Sequence, residues 1–130
     1  MPETIAKTTV SSLRKGSRVN LERSLTLSDF VDGHLVQGHV DGRGKIIEIK
    51  DNVYSIKIPA ELTHFIAKKG SVAINGVSLT VTEVKGSVFS VALIPYTLEH
   101  TNLGLFGVGD EVNIEVDIVA RYIQNHAHKK

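Results

Sequence analysis

Cysteine and tryptophan are absent from the 130 residues. Without cysteine there is no disulfide framework, no thiolate nucleophile and no Cys-based zinc or iron–sulfur site. Aromatic residues make up only 5% of the chain, so stacking platforms for single-stranded nucleic acid are poorly supplied. An excess of one charge is lacking too. Fifteen Lys and Arg stand against fourteen Asp and Glu, a net +1, which gives no field to capture a phosphate backbone or an anionic membrane. Neither nucleic acid nor membrane is an expected partner. No apolar run approaches the roughly 18–20 residues that span a bilayer, and MPETIAKTTV has no signal-peptide core. These absences describe a soluble cytoplasmic protein.

What is present fits a single β-rich domain. Hydrophobic residues form 42% of the chain, enough for one core and too few for a multidomain enzyme. Alternating apolar segments recur at short intervals: HLVQGHVDG, KIIEIKD, NVYSIKI, SVAINGVSLTVTEV, SVFSVALI and DEVNIEVDI. They are the strand candidates of an all-β barrel or sandwich. Two segments read as helices. PAELTHFIAKKG opens on Pro59, spaces Leu62, Phe65 and Ile66 helically and closes on Gly70, as a short crossover helix would. DIVARYIQNHAHKK places Ile118, Val119, Tyr122 and Ile123 on one apolar stripe and ends in His and Lys, so it should dock or self-associate.

A repeat organises the chain. Residues 2–23, laid without gaps on residues 95–116, match at seven of 22 positions: Pro2/Pro95, Thr4/Thr97, Thr8/Thr101, Gly16/Gly109, Val19/Val112, Asn20/Asn113 and Glu22/Glu115. Chance pairing gives about one or two. The alternative is two loop-then-strand segments of similar composition; the better reading is a duplicated barrel unit. On that reading the chain carries the end of one unit and the whole of a second.

The segment 71–94 permits a register argument. Val77, Leu79 and Val81 alternate with Ser78, Thr80 and Thr82, and Phe89, Val91 and Leu93 alternate with Ser90, Ala92 and Ile94. Matching the apolar faces across a hairpin requires even sums of paired residue numbers, which a Lys85-Gly86-Ser87 loop pairing Val84 with Val88 supplies. Ser78 then faces Ile94 and Thr80 faces Ala92, outside the barrel, with two hydroxyls about 7 Å apart along the strand. That is a floor for a flat polar heterocycle. It is equally the ordinary solvent face of a strand, where Thr is favoured. Gly38-His39 lies among Gly33, Gly42 and Gly44, which permit close backbone approach of a ligand, although a lone strand histidine is more often structural. His34 and His39, five apart, point to opposite faces of a strand and make a poor metal pair. Asn75-Gly76 reads as a tight turn, and Lys69-Gly70 closes the short helix and presents one ammonium group.

In order, GHLVQGHVDG, KKGSVAINGVSLTV, LIPYTLEHTNLG and VGDEVNIEVD resemble the C-terminal barrel of the riboflavin synthase family, over nearly the whole chain. The resemblance implies a six-stranded Greek-key barrel with a short crossover helix and a C-terminal helix. It divides the chain into residues 1–30, a remnant of a preceding barrel plus connector; 31–118, a lumazine-binding barrel; and 119–130, the helix. It further implies transfer of a four-carbon unit between two 6,7-dimethyl-8-ribityllumazine molecules, giving riboflavin and a ribitylamino-pyrimidinedione with neither metal nor organic cofactor. By matching motif, the substrate-binding positions are Gly38, His39 and Val40; Lys69; Ser78, Leu79 and Thr80; and Ala92, Leu93, Ile94, Pro95, Tyr96 and Thr97. His39, Ser78 and Thr80 are the catalytic candidates: His39, the neutral-range base among them, for proton transfer or for hydrogen bonding to the ring or ribityl chain, and Ser78 or water as the nucleophile at C7. Homo-oligomers are expected, a trimer by resemblance or a dimer. This sequence departs from the pattern at Val31-Asp32-Gly33-His34, which replaces a Gly-Gly-His lead-in, and in the absent pocket of the first barrel. A non-catalytic lumazine- or flavin-binding module uses the same residues, and an interaction barrel without ligand is a third reading.

Overall fold

The computed structural model describes residues 1–128; Lys129 and Lys130, assigned above to the C-terminal helix, lie outside the described residues. Among them, six antiparallel strands close a barrel: β1 (Gly42–Lys50), β2 (Val53–Lys57), β3 (Ser71–Ile74), β4 (Val77–Lys85), β5 (Val88–Ala92) and β6 (Glu111–Val116). Their order around the barrel is β1-β2-β5-β4-β3-β6. Two-residue turns at Asp51-Asn52 and Asn75-Gly76 join β1 to β2 and β3 to β4. All four turn residues have positive φ, between 49° and 80°, the geometry that matches strand twist.

Ile46, Ile56, Ile74, Val81, Phe89, Val91, Val112 and Ile114 fill the interior. Where β1 crosses it, Gly44 carries no side chain because Ile56 and Ile114 already occupy that space. Bulges let apolar residues three apart point the same way. The extra residue on β1 is Ile47, between Ile46 paired with Ile56 and Glu48 paired with Ser55, so Ile46 and Ile49 both turn inward. Thr82 is the extra residue on β4, between Val81 paired with Val91 and Glu83 paired with Ser90.

The Thr82 bulge revises the register expected from sequence. A two-residue Gly86-Ser87 turn replaces the three-residue loop, so Lys85 pairs with Val88 and Val84 with Phe89. These pairs have odd sums. The bulge restores the even sum at Val81 and Val91, the parity the alternation required.

Two other expectations change. HLVQGHVDG forms no strand before Gly42, because carboxylates take over the role of the ladder there: Glu115 accepts the Gln37 N–H at 2.9 Å and Asp41 accepts the Val116 N–H at 2.8 Å. The crossover segment is a 3₁₀ helix, Ala60–Phe65, whose three-residue period sets Leu62 and Phe65 on one side. At the C-terminus, α3 (Ile118–Ala127) starts on an Asp117 cap; Val119, Tyr122 and Ile123 are exposed, while Ile118 is half-buried.

The repeat is visible as matching local structure. Helix α1 (Pro2–Lys7) and a 3₁₀ turn at Thr9–Ser12 correspond to α2 (Pro95–His100) and a 3₁₀ turn at Asn102–Leu105. Thr8 and Thr101 bond back to Thr4 and Thr97 at 2.6 and 2.7 Å, and Gly16 and Gly109 share φ values of 92° and 96°. The two copies also clasp reciprocally. Thr9 N–H donates to the Asn113 side chain at 2.8 Å, and its counterpart Asn102 N–H donates to Asn20, the counterpart of Asn113, at 2.7 Å.

Candidate functional site

The floor inferred from the alternation lies where β4 and β5 part. Their ladder ends at Val81 and Val91. Beyond it β4 stays with β3, pairing Thr80 with Ser71 and Ser78 with Ala73, and β5 stays with β2, pairing Ala92 with Val53. Val81 N–H and C=O both bond across to the chain leading into β3, through Gly70 O and Lys69 N, and Leu93 N–H bonds Asn52 O. Main-chain groups alternate sides along a strand, so those of Thr80 and Ala92 turn toward each other across the seam. A planar ring with an amide-like edge can insert there as a strand would.

The candidate residues around this seam differ in what they offer. Thr80 and Ala92 are exposed and Ser78 and Leu79 half-buried. Leu93 is part of the core, so only its backbone is free to contact a ligand. Ile94, at 62% exposure, and Tyr96, at 66%, project beside the seam. Pro95 starts α2, Thr97 lies in its first turn, and Tyr96 stacks on His100 at 4.0 Å. Lys69 is exposed with φ of 66°, and its N–H bonds Val81 O at 2.7 Å, one residue from Thr80.

Gly38, His39 and Val40 line a different place, a cavity of about 310 Å³ shared with Met1, Glu3, Thr4, Lys7, Thr8, Asp41 and Arg121. Asp41 holds Arg121 at 2.9 Å, and Glu3 holds Lys7 at 2.9 Å. The Lys7 ammonium keeps the Glu3 carboxyl below its ordinary range, by hydrogen bond first and charge second. The candidate set thus divides in two. Through the repeat, Pro2-Glu3-Thr4 beside this cavity is the counterpart of Pro95-Tyr96-Thr97 beside the seam.

The imidazole at Ser78 belongs to His34, which in the sequence stands out only as a poor metal partner of His39 and as the end of the departing Val31-Asp32-Gly33-His34 lead-in, not as a site residue. His34 Nδ1 lies 2.7 Å from Ser78 Oγ, and His34 N–H donates to the same oxygen at 3.2 Å. Opposite parity along 34–39 was the available signal: it sends His34 to the seam and His39 to the cavity. Glu115 was also missed as anything but a repeat match. It is buried, with Oε2 on Gln37 N–H and Oε1 without a partner among the described residues.

Comparison with known proteins adds the following. The family model described as "Lumazine binding domain" matches residues 37–117. Riboflavin synthase of Brucella abortus is 50% identical over 124 residues, covering 92% of this chain and 61% of that protein. Riboflavin synthase of Chlamydia trachomatis is 48% identical over 119 residues, covering 92% and 60% respectively. The chain therefore spans about three-fifths of the length of these relatives. Among solved structures, LumP complexed with 6,7-dimethyl-8-(1'-D-ribityl) lumazine superposes with a TM-score of 0.74 at 27% identity, over 89% of this chain and 64% of that one. LumP complexed with riboflavin gives 0.76 at 28% identity, over 88% and 64%.

Proposed function

The chain belongs to the lumazine-binding domain family, and from that premise we propose that it supplies one substrate-binding barrel of a riboflavin synthase. The observation that carries this reading is the parted β4–β5 seam, with Ser78 and Thr80 on one side and Ala92 to Thr97 on the other. A pteridine ring entering it meets amide groups along one edge and Ile94 on an apolar flank. The Gly38-His39-Val40 cavity at the Pro2–Thr4 corner is one half of a second site, completed by another barrel.

The reaction joins two identical heterocycles, so its principal demand is orientation. Holding two lumazines face to face replaces an encounter in solution with an intramolecular step, worth up to about 7–11 kcal/mol of barrier. One ring must lose a proton from its C7 methyl and the other must accept addition at C7. Water is the nucleophile for the addition, and Ser78 and Thr80 stand at the seam as hydrogen-bonding groups that hold the accepting ring. His39, at the corner cavity, is the proton-transfer candidate for the second site. We read the assembly as a cytoplasmic homo-oligomer in which the exposed Val119, Tyr122 and Ile123 of α3 meet their counterparts.

Titrating the chain with 6,7-dimethyl-8-ribityllumazine while recording riboflavin absorbance tests this reading. Binding is expected at one site per chain, with a rate per chain that climbs with protein concentration. Ile94→Glu, which drives a charge into the apolar flank, should abolish binding and leave the circular-dichroism spectrum intact. Unchanged affinity in that variant would move the pocket elsewhere, and binding without turnover at any concentration would favour a ligand-holding module.

A further inference from the structure

We propose that His34 is a positioning residue for Ser78, fixing the serine hydroxyl as a hydrogen-bond donor toward an acceptor edge of the bound heterocycle. The proposal rests on the reading of the seam as a ligand site and adds the polarity of one of its groups.

The backbone leading to His34 is built against this serine. Gly33 has φ of 84°, the left-handed region that favours glycine, and a Cβ there would overlap the Ser78 side chain. That close approach lets the next residue bring two groups to one oxygen: the His34 N–H at 3.2 Å and its ring Nδ1 at 2.7 Å. A serine hydroxyl has one proton and two lone pairs. The main-chain N–H is always a donor, so it takes one lone pair.

The ring decides what remains. Nε2 is buried without a partner among the described residues. A neutral imidazole carries its proton on one nitrogen or the other. A buried N–H without an acceptor is costly and rare, whereas a bare lone pair is the milder defect. The proton therefore sits on Nδ1, which donates the second hydrogen bond to Ser78 Oγ. With both lone pairs taken, the Ser78 hydroxyl can only donate. Ser78 lies on β4 next to the open stretch, where its proton meets a carbonyl oxygen or an unprotonated ring nitrogen of a pteridine, not an N–H edge.

Riboflavin binding to the full chain, followed by quenching of flavin fluorescence, tests the pairing through a double-mutant cycle. His34→Ala should weaken binding about tenfold, the scale of one directed hydrogen bond. Ser78→Ala should do the same, and the double variant should lose no more than the worse single one, because His34 acts through Ser78. His34→Asn, which can keep a donor near the Nδ1 position, should bind far better than His34→Gln, which cannot. Additive losses, an undiminished His34→Ala, or equal affinities of the Asn and Gln variants would overturn the proposal; the last comparison decides if the alanine variant fails to fold. Nitrogen-15 spectra of the unliganded chain give an answer independent of binding. They should show His34 protonated at Nδ1 and a displaced Nδ1 resonance in Ser78→Ala; protonation at Nε2, or no response, would overturn the pairing. Failure of the unaltered chain to bind riboflavin would overturn the seam as a site, and the spectra would then separate that failure from a failure of the His34–Ser78 pair.

Discussion

Residues 2–22 and 95–115 are close in sequence and have different fates. Both begin with a six-residue helix, a threonine cap and a 3₁₀ turn. The second copy then runs into β6, between β1 and β3, while the first continues through residues 18–22 without joining a strand ladder. The difference separates local from non-local causes. Prolines at the helix starts and the Thr8 and Thr101 hydroxyls act within a few residues and work wherever the segment is placed. A strand exists only where neighbours take its N–H and C=O groups, and the Val-Asn-Leu/Ile-Glu pattern finds them once.

The largest contrast should come from one repeat position. Ile114 is 0% exposed in the barrel, and its counterpart Leu21 is 91% exposed. Ile114→Ala should cost about 3–4 kcal/mol through lost burial and a residual cavity, whereas Leu21→Ala should stay within about 0.5 kcal/mol. Urea unfolding of both variants measures this. Comparable losses would mean that Leu21 is covered in solution, as it would be if a second barrel packed on it.

An intermediate effect is expected where the copies clasp. Asn20 accepts from Asn102 N–H and donates to Asn75 O and to Asn102 Oδ1, and Asn102 is buried. Asn20→Ala leaves that amide unpaired and should cost about 1–3 kcal/mol. In the mirror position, Asn113→Ala releases the Thr9 N–H, which is only half-buried, and should cost about 1 kcal/mol. Reversal of that order would show that the first copy, not the second, anchors the clasp.

How much of this was legible in the sequence follows the same division. Period-two alternation located the sheet, Asn75-Gly76 its turn and the gapless repeat its corners, because each is a local pattern. The bulges at Ile47 and Thr82 were hidden, since an extra residue shows only against the partner strand. The replacement of strand pairing by Asp41 and Glu115 was hidden as well, for an acidic residue in a strand pattern looks the same whether it faces water or a backbone amide. At the candidate site the hydroxyls of Ser78 and Thr80 were readable, and the division of the site was not: Gly38, His39 and Val40 sit with Met1 and Glu3, far away in sequence. Gly33 carried a signal that reads clearly only with Ser78 beside it.

The smallest expected effect compares the outer faces of α1 and α2. Their matching i and i+4 positions hold different pairs: Glu3 with Lys7 at 2.9 Å in α1, and Tyr96 stacked on His100 in α2. Lys7 holds the Glu3 carboxyl below its ordinary range, so in acid the unfolded segment binds a proton more readily than the folded helix. The resulting stabilisation is fully present above the unfolded carboxylate value and is lost as pH falls through the folded one. Because both side chains face water, the contribution is slight and screened by salt. Amide resonances of Ile5 to Thr8 should show α1 fraying as the solution is acidified through the carboxylate range, while those of Leu98 to Thr101, whose pair contains no carboxylate, hold. Glu3→Gln should remove the pH response of α1 and leave a helix frayed to the same small extent at every pH. A response that survived the substitution would shift the cause to another carboxylate and break the contrast between the two helices.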